Sequence, residues 1–236
     1  MGRQLLVIQD AGYLESAQWL EATIHRWDQK QLLTAAEAAM LRNTGWPIGV
    51  VLTSPANRDF APQVTPEGIE VRIDNRLERD FDYWTLTRDG RFYFLRTFEE
   101  DRKAEKTGGA QTRPGRVLWW DVRLWRITEA LLHSAVLYRE LGIPADTPYL
   151  LTINHEGLAN REFSVSRPTR YLTSGGSFCK VASCSWLKKV TQDVVVGGLK
   201  ELVAEVCREL FVLFNFQEVP RTTIDRVVDE FLQSRV

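Results

Sequence analysis

Tyr83-Trp84-Thr85-Leu86-Thr87, Arg88-Asp89-Gly90 and Arg91-Phe92-Tyr93-Phe94-Leu95-Arg96 form the stretch from which the fold is read. Aromatic and β-branched residues fill both flanks, and such side chains fit a pleated, half-buried surface. Asp-Gly between them tolerates positive φ, the requirement of a tight hairpin turn. Two antiparallel strands are therefore expected here, over roughly 82–96.

Upstream, Gly68 to Ile73 places Ile69, Val71 and Ile73 at a period of two, a further half-buried strand. Trp46 to Thr53 reads as a strand entered through Pro47. Before that, Leu14, Ala17, Leu20, Ile24 and Trp27 share one helical face, so a helix is expected over 11–29. Thr34 and Glu37 have capping-box spacing for a second helix over 35–43.

Downstream, Glu99 to Arg116 is charged, glycine-containing and aperiodic, which reads as a mobile loop. Its Glu99-Glu100-Asp101 run reads as a solvated charge cluster. A long helix over 118–141 follows, with Trp120, Leu124, Ile127, Leu131, Ala135 and Tyr138 as its apolar stripe. Gly142 and Pro144 end it. Strands are expected at 149–153, 161–165 and 183–190, with the second returning against the first. Helices at 194–215 and after Pro220 close the chain. The expected class is α+β, a mainly antiparallel sheet of about six to seven strands with helices packed on one face. The expected organisation is an N-terminal helical segment, 1–45, packed on an α+β body, 46–236, as one structural unit.

The chain has 236 residues, 44% hydrophobic and 26% charged, an ordinary globular mixture. Thirty basic and 31 acidic side chains nearly cancel, so any basic surface must be local. Such a surface is expected over 160–190, where Arg161, Arg167, Arg170, Lys180, Lys188 and Lys189 stand against Glu162 alone. With Tyr171, Phe178 and Trp186 interleaved, these cations are candidates for tracking a phosphate backbone. Eight tryptophans exceed ordinary core needs, and Trp119 and Trp186 are candidate anchors of a protein interface.

Catalytic signatures are weak. His25 and His133 lie within amphipathic helices and read as structural. His155, followed by Glu156 where a strand meets a turn, is the candidate polar site. Cys179, Cys184 and Cys207 form neither a disulfide framework nor a zinc-ligand spacing, and free thiols suit a reducing cytoplasm. Ser174-Gly175-Gly176-Ser177 lacks the lysine of a P-loop. No metal or cofactor is expected. The apolar run Leu5 to Ile8 is too short for a signal peptide, and no window approaches the length of a membrane span.

Gly45-Trp46-Pro47-Ile48-Gly49-Val50, Phe81-Asp82-Tyr83-Trp84-Thr85-Leu86, Arg126-Ile127-Thr128-Glu129-Ala130-Leu131-Leu132 and His155-Glu156-Gly157-Leu158 occur in this order. The series resembles the C-terminal region of prokaryotic proteins that carry an AlbA-like, Schlafen-related domain and are labelled DNA-binding or ATP-binding. The resemblance spans nearly the whole chain and implies an accessory, sensing or partner-docking region, with no catalytic residue. No AlbA-like domain is expected before residue 1, so the DNA or ATP label is not simply carried over. The leading expectation is a non-enzymatic interaction or sensing domain acting with a protein partner in a prokaryotic, intracellular system. The alternatives are a nucleic-acid-binding module using the 160–190 region, and a nuclease or nucleotide-processing enzyme.

Overall fold

The computed structural model describes residues 3–10 (backbone only), 27–41, 45–75, 80–102, 114–166, 177–216 and 219–233. The hairpin stands where its turn chemistry placed it. Strands Asp80–Thr87 (β4) and Phe92–Thr97 (β5) pair antiparallel, with Trp84 opposite Phe94. Gly90 turns between them at φ +81. A Cβ there would lie 3.0 Å from the Trp27 ring, so the site demands glycine for both backbone and space.

Around this hairpin a seven-stranded sheet assembles. Its other members are Gln63–Val64 (β2), Gly68–Asn75 (β3), Arg3–Asp10 (β1), Tyr149–Glu156 (β7) and Ser183–Val190 (β9). The spatial order is β2-β3-β4-β5-β1-β7-β9, and every pairing in it is antiparallel. The mixed α+β class and antiparallel pairing agree with the sequence. β1 is a correction: the first residues of the expected helical segment form a strand that joins the two halves of the sheet. Leu6 pairs with Phe94 on one side and Ile153 on the other. The expected helix over 11–29 falls largely outside the described residues.

Three further expectations fail. Residues 46–53 form no strand: Gly49 sits at φ +70, and side chains bind the backbone instead. Ile48 N donates to Glu129 at 2.8 Å, and Trp84 Nε1 donates to Val50 O at 2.9 Å. The helix expected at 35–43 is Gln29–Ala39 (α1), capped by Asp28 and Gln31 in a reciprocal box rather than by Thr34. The segment expected to return against β7 is instead Glu162–Ser164 (β8), which pairs in parallel with Val117–Trp119 (β6).

Trp120–Glu140 (α2) is the axis of the helical layer. Gln192–Gly197 (α3), Leu199–Phe211 (α4), Arg221–Gln233 (α5) and α1 all pack on it. Gly198 separates α3 from α4 where one helix was expected over 194–215. Sixteen of the 21 residues of α2 are buried, so its burial extends well beyond the single stripe read from the sequence. Its charged residues Arg123, Arg126 and Glu129 are therefore interior, and interior charges demand partners. The inward faces of the strands supply the rest of the core, from Ile69, Val71 and Ile73 through Trp84 and Phe94 to Leu151 and Trp186. Among the described residues, no helix is long and apolar enough to cross a membrane.

Candidate functional site: a buried charge network and an open sheet edge

At the end of β5 the chain passes through Phe98 into a short 3-10 turn, Glu99–Asp101, beside the first half of α2. These acids were expected in solvent. They are instead interior: Glu100 and Asp101 are buried, and Glu99 is nearly so. Arg123 pairs with both Glu99 and Glu100, and Glu100 also accepts from Trp119 N at 3.1 Å. Arg126 bridges Glu99 and Glu129 and donates to Trp46 O at 3.1 Å. Arg96 forks onto Asp82 at 2.8 and 3.1 Å and reaches Pro47 O, while Trp46 Nε1 donates to the same carboxylate. Arg161 binds both oxygens of Asp101 and donates to Val117 O and Gly157 O, each at 2.7 Å. Gly115 N donates to Asp101 at 2.7 Å. The Arg123 and Arg161 guanidiniums both lie over the Phe98 ring, 4.5 and 5.0 Å from its centroid.

Burial would raise the Glu99 carboxyl, but Arg126 and Arg123, with Arg96 and Arg102, outweigh it and hold Glu99 well below its ordinary range. Glu100 moves the other way. Burial raises it, Arg123 offsets only part, and Glu99 adds repulsion. His155 lies fully inside, its ring 6.2 Å from Phe98. Burial and the nearby Arg123 press its pKa down to about 3, so it is neutral at physiological pH. Its Nε2 has no hydrogen-bond partner among the described residues. His133, beside Phe92 and bonded through Nδ1 to Ala39 O, is pressed to about 4 by burial.

Chemically this network is a lock. Each of these guanidiniums is committed to a carboxylate, and the bidentate forks fix β4, β5, α2 and the β6–β8 pair against one another. No group of His, Cys, Asp and Glu among the described residues is arranged to hold a metal ion. A groove bordered by Thr222, Asp225, Arg226, Asp229, Glu230 and Gln233 runs along the exposed side of α5 alone.

The second feature is β9, the terminal strand of the sheet. It pairs with β7 over eight residues, from Tyr149 opposite Val190 to Glu156 opposite Ser183. On its other side, Ser183 to Lys188 make no backbone hydrogen bond among the described residues. Trp186 and Val190 point inward and are buried, whereas Ser183, Ser185 and Leu187 face out. Leu187 is 60% exposed. A long strand whose edge is bare among the described residues, with an exposed leucine, is a template for another strand.

The expected site residues separate across these two features. Arg161 is a buried ion-pair partner, so it leaves the proposed basic surface. Arg167 and Arg170 lie outside the described residues. Lys180 and Lys189 are exposed, and Lys188 pairs with Glu205. Trp186 is a core residue whose Nε1 donates to Glu205 at 3.0 Å, and Trp119 is half-buried beside the charge network. His155 is buried, while Glu156 is exposed at the end of β7. Sequence reasoning missed Arg96, Arg123, Arg126 and Glu129. The available signal was Arg123 and Arg126, three apart on a helix that is otherwise largely apolar. It also missed Leu187, an apolar residue on the outward phase of β9. Comparisons with protein-family models, with characterised proteins and with solved structures find no match.

Proposed function

We propose that this chain is a non-enzymatic interaction or sensing domain that acts with a protein partner. The observation that carries the reading is the open β9 edge with Leu187 standing out of it. Main-chain groups of such an edge supply affinity, and the side chains alternating beside them supply specificity. The charge network supports the reading from the inside, because its groups are spent on holding the scaffold that presents the edge. The resemblance to regions accompanying AlbA-like domains, which implies an accessory role in a prokaryotic cell, points the same way.

The test is affinity capture with tagged chain from its native cell, comparing the wild type with Leu187→Lys. Recovery of a specific protein by the wild type and its loss in the variant is the expected result. Capture unaffected by the substitution, or recovery of nucleic acid alone with a steep salt dependence, overturns the reading.

A further inference from the structure

We draw no further inference here: the strongest candidate, the outward face of the sheet on which Tyr83, Tyr93, Leu95 and Leu150 stand half-buried with the exposed Leu187, carries nothing because nothing among the described residues shows what covers it.

Discussion

Replacing Arg161 with methionine tests the charge network most severely. Arg161 is fully buried, holds both oxygens of Asp101 and donates to the carbonyls of Val117 and Gly157. Methionine retains much of the volume and packs on Phe98, so the loss is electrostatic rather than a cavity. It takes the paired guanidinium away from a buried carboxylate to which Gly115 N also donates. Breaking one side of a buried pair costs about 3–5 kcal/mol. Removing the other charge as well, with Asp101→Leu, relieves part of that cost. The double variant is then less destabilised than the sum of the two singles, with a coupling of roughly 1–3 kcal/mol. Urea unfolding at neutral pH, followed by tryptophan fluorescence, measures all three. A loss below about 1 kcal/mol for Arg161→Met, or strict additivity in the double variant, refutes the claim that this pair locks the β6–β8 pair to the 3-10 turn.

Three other perturbations follow from the same interior. His133 and His155 have folded pKa values lowered to about 4 and about 3 from 6.5, so their contribution is fully present above pH 6.5 and fades as pH falls through those values. Stability should drop on acidification by up to about 1.4 kcal/mol per pH unit for each histidine; Glu99 adds in the same direction below its ordinary range, while Glu100, raised by burial, opposes. A urea midpoint constant from pH 7 to 4.5 contradicts this. Gly90→Ala should cost about 1–3 kcal/mol, and more than Gly45→Ala, because both take positive φ but only Gly90 has a ring, that of Trp27, against its missing Cβ; equal losses in thermal melts contradict the packing argument. Trp186→Phe should lose roughly 1 kcal/mol with the Glu205 hydrogen bond, yet leave partner capture intact because the ring faces inward; lost capture restores Trp186 as the anchor.

What could be read in advance followed the range of each signal. The β4–β5 hairpin, β3, β9 and α2 were legible because their turns and periodicities are local. β1 was not: Leu5 to Ile8 is a short apolar run with no turn signal of its own, and its strand character comes from Phe94 and Ile153, far along the chain. Residues 46–53 resemble a strand by Ile48, Val50 and Val51, but Gly45, Pro47 and Gly49 break the extended run, with both glycines at positive φ. Their backbone groups are met instead by Glu129, Arg96 and Arg126. The charge network failed for the same reason. Glu99, Glu100 and Asp101 in succession look solvated until Arg123, Arg126 and Arg161, more than 20 residues away, are folded onto them. The edge position of β9 is a property of sheet order, which strand patterns alone do not specify.

The central claim is that the β9 edge is where this protein meets its partner, and amide hydrogen exchange tests it directly. In the dilute, isolated chain, the peptide covering Ser183–Val190 should exchange in two populations, amides bonded to β7 slowly and outward-facing amides fast. With the partner bound, the fast population should slow while β3, near the opposite edge, stays unchanged. Protection that leaves Ser183–Val190 untouched, or appears on β3 to β5 instead, contradicts the account.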